Sequence, residues 1–305
     1  MKASAATAMT KALSPHVRQR GGLSLLHIDA AIRFTSGCIR ATRECNENLK
    51  LEKINDLKAT AQAYVLGTLY TSIAFLEAAI NEIFLDAVES IPENARIEKN
   101  TSIALENHDV HPYGVVASLA PEVVKHMAQI WLQQERYRDS PILNRLKTHL
   151  EQKDPQNRIE MWRTLDKYQL ALCLNNKAPF ARNQIERQVV DTFVEFRHYL
   201  THAKAEWVTV AAPEGNFVGP EKSTDLEARV KKVIDSAPYQ SDTENPYDRF
   251  FSDLPFPRNC LSPICARMAV KSNLEFDYLF CERMRIKDIR SRYPGLEQAL
   301  SAIQL

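Results

Sequence analysis

The stretch AYVLGTLYTSIAFLEAAINEIFLDAV, residues 63–88, is apolar almost all the way round a helix and decides how the rest of the chain is read. By length alone it would cross a bilayer. Glu77, Asn81 and Glu82 fall near its middle and end, however, where hydrocarbon would leave their polar groups unsatisfied. The reading is a helix from about Leu57 to Ser90 buried at the centre of a protein bundle, with no membrane segment.

Helical periodicity continues outward on both sides. Clean two-residue alternation is almost absent and glycine is scarce, 8 in 305 residues, so the fold class is all-α. A helix is expected from about Leu25 to Glu47. PEVVKHMAQIWLQQERY forms another, with Pro121 suited to the first helical position and Val124, Met127, Ile130 and Trp131 recurring on one face. ILNRLKTHLEQ and RIEMWRTLDKYQLAL follow. A further helix is expected from Asn183, which with Glu186 approximates a capping box, to about Lys204. Beyond it lie a short helix over 225–236, a loop over 236–263 packed by its aromatic residues, and a last helix over about 264–289.

The formal charge is +1, so the molecule as a whole is no basic footprint for nucleic acid, and any such contact must come from a local patch. The six cysteines are scattered without a CxxC pair, the pattern of reduced thiols, and their spacing does not suit zinc. The first 24 residues read as a flexible lead-in without the apolar core of a secretion signal, which gives a cytoplasmic expectation.

The chemistry concentrates in VEFRHYLTHAKAEW, residues 194–207. At helical spacing Glu195, His198, His202 and Glu206 share one stripe. Glu195-x-x-His198 is half of a di-iron signature, but no second Glu-x-x-His exists to complete it. The other pairing is Arg197 with His202, an R-x4-H. A neutral imidazole can take the proton of a ribose 2′-hydroxyl, and a planar guanidinium can hold two phosphate oxygens. On an ideal helix the two side chains lie about 140° apart, so they converge only if the helix end distorts or two copies face each other. The plainer reading is a solvated helix face held by i,i+4 charge pairs.

RHYLTH, residues 197–202, resembles the motif of the HEPN-domain family, an arginine followed after four to six residues by histidine, usually with a polar residue directly after the arginine. YTSIAFLEAAINEIFLDA (70–87) is similar to the early core helix of that family. MWRTLDKYQLAL (161–172), leading through a turn into the motif helix, has its order of elements. The likeness covers about residues 57–207. It implies an all-α HEPN-like helical bundle that homodimerises, sets two R-x4-H motifs across a cleft and cleaves RNA without a metal or other cofactor. By position, His202 is the general acid or base, Arg197 the transition-state clamp and His198 an orienting group. Many members act as toxins or antiviral defence effectors, with a neutralising or sensor protein as partner. Some toxins carry a modified tyrosine two residues after the histidine; Lys204 stands there, so control by that route is not expected.

The domains expected are the lead-in (1–24), a HEPN-like helical domain (25–210, with an insertion about 91–140) and a C-terminal helical elaboration (211–305). Glu77 and Asn81, one turn apart, are placed at the cleft floor as supporting residues, or else form a buried polar pair satisfied by backbone. RMRIKDIRSR, residues 283–292, reads first as an exposed helix face and second as a contact for RNA phosphates, and Trp131, Trp162 and Trp207 read as core. The alternative to a ribonuclease is a non-catalytic HEPN-type dimerising or sensing module.

Overall fold

The computed structural model describes residues 22–45, 50–92, 110–132, 162–202, 221–237, 254 and 256–303. The lead-in up to residue 21, the helix expected over 142–152, Lys204, Glu206, Trp207 and most of the loop expected over 236–263 lie outside them. The fold is all-α. Its helices are α1 (Leu23–Cys45), α2 (Leu51–Glu89), α3 (Pro121–Leu132), α4 (Thr164–Leu174), α5 (Ile185–His202), α6 (Glu221–Asp235), α7 (Pro263–Met284), α8 (Ile289–Arg292) and α9 (Leu296–Ser301). Among the described residues there is no strand.

Helix α2 is the axis. It contacts α1, α3, α4, α5 and α7, and Phe75, Leu76, Ile80 and Phe84 are fully buried. It also has the length and hydropathy of a membrane span, yet Glu77, Asn81 and Glu82 each have a use inside the protein. Glu82 accepts hydrogen bonds from the backbone N–H (2.8 Å) and hydroxyl (2.7 Å) of Ser24, closing the start of α1. It also pairs with Arg292 at 3.2 Å. Asn81 accepts from the buried Lys167 ammonium at 2.9 Å. Glu77 faces the cleft described below.

The α1–α2 pair is close because two glycines allow it. A Cβ on Gly37 would come within 2.9 Å of the Tyr64 ring, and one on Gly67 within 3.0 Å of Phe34. Each helix thus receives the other's aromatic ring in a glycine notch. Helix α2 starts at Leu51, six residues ahead of the expected Leu57; in the added turns Ile54 is half-buried and its N–H donates to the Lys50 carbonyl at 3.1 Å.

Two apolar clusters form along α2. One gathers Phe84, Trp131, Tyr168, Phe180, Phe276 and Phe280. The Tyr168 ring meets Phe276 and Phe280 edge-on, at 5.2 and 4.6 Å between centroids, and its hydroxyl donates to the Leu76 carbonyl at 3.0 Å. Trp131 stacks on Phe84 at 5.4 Å and Trp162 is buried, so both belong to the core as expected. The other cluster gathers Leu69, Phe193, Phe196, Val230, Leu261 and Ile264. Phe256 closes it over Phe196 and Tyr199. Helix α7 contributes to both clusters, so the C-terminal region is built into the same core as the motif helix.

The last long helix ends at Met284, short of the expected 289. Arg285 turns left-handed (φ 60°), and the Ile286 N–H donates back to the Cys281 carbonyl at 3.0 Å, a helix stop made without glycine. Burial of Ile286 and Ile289 drives the reversal. The basic run 283–292 is therefore not one exposed helix face: Arg283 covers the Phe180 ring at 4.0 Å and Arg292 pairs with Glu82.

Buried beside Tyr168 are Asp277 and Cys281 of α7. Burial pushes the Asp277 carboxyl up to about 6; nearby Arg292 and the Ile289 amide oppose the rise, while Asp288 and Glu82 reinforce it. Between its ordinary value of 3.8 and about 6 the folded chain keeps a proton that the unfolded chain has released, so this residue makes stability fall as pH rises through that window. Asp277→Asn should flatten that part of the stability–pH curve measured by urea unfolding; a fall of unchanged depth would place the titration elsewhere. Phe276→Ala should cost about 3–5 kcal/mol in the same assay, and a loss below about 1 kcal/mol would show that the aromatic cluster is not the core it forms here.

Candidate functional site

Helix α5 carries the motif, and the turn before it is set by buried hydrogen bonds. The backbone of Phe180 is enclosed and must find partners within the protein. The Gln169 side chain supplies two, accepting from the Phe180 N–H at 2.8 Å and donating to its carbonyl at 3.1 Å. The buried Arg187 adds a third, donating to the same carbonyl at 2.9 Å. Arg283 braces the turn by donating to Gln184 at 3.1 Å. Helix α5 then begins at Ile185, so Asn183 lies in the turn before the cap position.

Further along, α5 buries Val190, Phe193 and Phe196 and turns its polar side toward α2 and α4. There it lines a half-open cleft of about 950 Å³. Ile73 and Glu77 of α2 form one wall. Trp162, Arg163, Thr164 and Leu165 at the start of α4 form another, and Arg182 comes from the turn. Helix α5 supplies Arg187, Gln188, Asp191, Val194, Glu195, Arg197 and His198. Four arginines and a histidine thus meet three carboxylates, with Arg187 spent on the Phe180 carbonyl and Glu195 on Arg229.

Arg197 lines this cleft with its Nε buried and without a hydrogen-bond partner among the described residues. Its backbone carbonyl is fixed instead: the Thr201 hydroxyl donates to it at 2.8 Å. That uses the single threonine proton, so the Tyr70 hydroxyl, 2.9 Å away, donates to Thr201. Tyr70 of α2 thereby steadies the turn of α5 that bears the motif. The i,i+4 contact here joins the Thr201 hydroxyl to the Arg197 backbone and is no charge pair, while Arg197 is among the residues that line the cleft.

His198 lines the cleft and is exposed. His202, one turn on, is exposed and outside the lining, as the angular offset from Arg197 requires. The two imidazole rings touch, with centroids 4.5 Å apart and planes tilted by 49°. Of the supporting pair, Glu77 lines the cleft, while Asn81 faces Lys167, whose ammonium donates to its side-chain oxygen.

Glu195 does not lie open to a metal, because its carboxylate pairs with Arg229 of α6 at 2.7 Å. Among the described residues no group of three or more His, Cys, Asp or Glu side chains is arranged to hold a metal ion. The cysteines are free, and burial pushes the thiols of Cys38 and Cys260 up to about 12, which keeps them protonated and inert.

The motif alone missed Arg163, Arg182, Arg187 and Asp191. Arg187, Asp191, Glu195, His198 and His202 do recur at spacings of four, four, three and four, a polar stripe legible in the sequence. Arg163 and Arg182 arrive through the turn geometry, which no periodicity announces. Searches against protein-family models, curated proteins and solved structures find no match to this chain.

The Glu195–Arg229 pair is half-exposed, and such pairs contribute little to folding. Arg229→Gln should therefore lower stability by less than about 1 kcal/mol in urea unfolding. A loss of several kcal/mol would mean that α6 is anchored to α5 through this contact.

Proposed function

We propose that the protein is a metal-independent endoribonuclease of the HEPN type, acting as a homodimer in the cytoplasm. The observation that carries this reading is the Arg197 guanidinium, partly buried in an arginine-rich cleft beside His198 and Glu77, with its Nε unpartnered among the described residues. The Nε itself is enclosed, so the donors open to an anion in the cleft are those at the guanidinium's other nitrogens. A phosphodiester is an anion of the right geometry for a guanidinium. The resemblance of residues 57–207 to the HEPN order of elements supports the same conclusion.

In the proposed reaction His202 takes the proton from a ribose 2′-hydroxyl, and the 2′-oxygen attacks the adjacent phosphorus. Arg197 holds two phosphate oxygens as charge builds on them. The bond to the 5′-oxygen breaks, that oxygen takes a proton from a water molecule, the hydroxide so formed recovers the proton held by His202, and the products are a 2′,3′-cyclic phosphate and a 5′-hydroxyl. His198, in contact with His202 and lining the cleft, orients the pair. The balanced net charge confines RNA contact to the cleft and its rim. By the same resemblance the role is that of a toxin or defence effector with a neutralising or sensor protein as partner.

The position of His202 outside the cleft lining favours a second reading, in which the exposed end of α5 is a dimer contact of a non-catalytic HEPN-type module. In the nuclease reading the same exposure lets two copies oppose their α5 ends and bring His202 of one toward the cleft of the other.

Incubating purified protein with mixed cellular RNA in excess EDTA separates the two. Wild type should cleave, and Arg197→Ala and His202→Ala, folded and of unchanged oligomeric mass, should lose about 10²–10⁴ of the rate. Equal cleavage by all three would remove the residue assignments, and a stable dimer without cleavage would leave the non-catalytic module.

A further inference from the structure

Two histidines spaced i,i+4 with touching rings form a geometry that metal-binding helices use, in which both imidazoles serve one ion from one face. His198 and His202 have that spacing, a centroid separation of 4.5 Å and exposed side chains, and no hydrogen bond or ion pair among the described residues occupies either ring. Zinc binds imidazole nitrogen at about 2.0–2.1 Å, so two nitrogens on a tetrahedral ion lie about 3.3 Å apart. Both side chains are exposed and sit one turn apart on the same helix, so only side-chain torsions separate the present arrangement from a shared ion.

We infer that His198 and His202 form a two-nitrogen chelate for a borderline transition-metal ion such as zinc(II), and that occupancy of this chelate switches the proposed nuclease off. The chelate stands on the geometry alone; only its inhibitory effect rests on the ribonuclease reading. The ion would bind the imidazole lone pair that must otherwise accept the 2′-hydroxyl proton, so metal binding and proton transfer exclude each other.

The surroundings set the strength and selectivity of the site. Glu195, one turn before His198, is the nearest carboxylate along the helix, and Arg229 holds it at 2.7 Å. With no cluster of three ligands among the described residues, two coordination positions remain for water or a phosphate oxygen. Such a site takes an ion reversibly and does not retain it as a resident cofactor. Magnesium and calcium prefer oxygen ligands and have no purchase on two imidazoles.

The test uses the full chain without an affinity tag, titrated by calorimetry with zinc chloride and, separately, magnesium chloride. Zinc should bind and magnesium should not. His198→Asn and His202→Asn should each weaken zinc binding by at least about tenfold, with helicity by circular dichroism unchanged, and Glu195→Gln should leave it unaltered. Unchanged zinc affinity in both histidine variants overturns the chelate. RNA cleavage by wild type should fall in step with zinc occupancy and recover in EDTA. Cleavage at full rate with the site saturated overturns the inhibitory effect, whereas zinc binding through the pair in a protein that cuts no RNA keeps the chelate and removes the nuclease reading.

Discussion

The burial of α2 is the constraint on which the rest of the structure depends. Its 39 residues make a rod about 58 Å long at 1.5 Å per residue. That is too long for one small core, so two apolar clusters form along it. A helix apolar nearly all round must be covered on several sides, and α1, α3, α4, α5 and α7 do so. Its polar residues fall where a neighbour needs them: Glu82 closes α1, Asn81 receives Lys167, Tyr70 steadies α5 through Thr201, and Glu77 is left facing the cleft.

The cleft follows from the same packing. Helix α5 buries Phe193 and Phe196 in one cluster while the turn before it buries Phe180 in the other. It must therefore run past α2 and the start of α4 with its polar stripe between them. The motif arginine lines the space so formed. Gln169 and Arg187 fix the turn, and α6 reaches the outer edge through Glu195. The region after residue 220 is thus more than an appendage to the motif helix, since it closes the second cluster and meets the rim of the cleft.

Much of this was legible in the chain because helical periodicity is a local signal. The apolar stripe of α2, Pro121 at the start of α3 and the apolar spacing of Met127 and Trp131 all follow from nearest neighbours on a helix. Helix ends were less legible. Arg285 takes a left-handed conformation that arginine seldom adopts, and it does so because Ile286 and Ile289 have a core to reach, which is a tertiary cause. The site divides in the same way. Arg197 and His198 were legible from the motif and Glu77 from its place on an apolar helix. Arg163 and Arg182 depend on where a turn travels, and the partnership of Asn81 with Lys167 joins positions 86 residues apart.

The central claim is that the cleft cleaves RNA by internal attack of the 2′-hydroxyl, with the imidazole of α5 moving the proton and Arg197 holding the phosphate. The ends of the product record that chemistry directly. Mass spectrometry of fragments from a defined oligoribonucleotide, with a parallel oligonucleotide carrying 2′-deoxyribose at the cleavage position, is the decisive measurement. The account predicts 2′,3′-cyclic phosphate and 5′-hydroxyl ends from the first and no cleavage at the substituted position in the second. Fragments with 3′-hydroxyl and 5′-phosphate ends, or cleavage at the deoxy position, would contradict it.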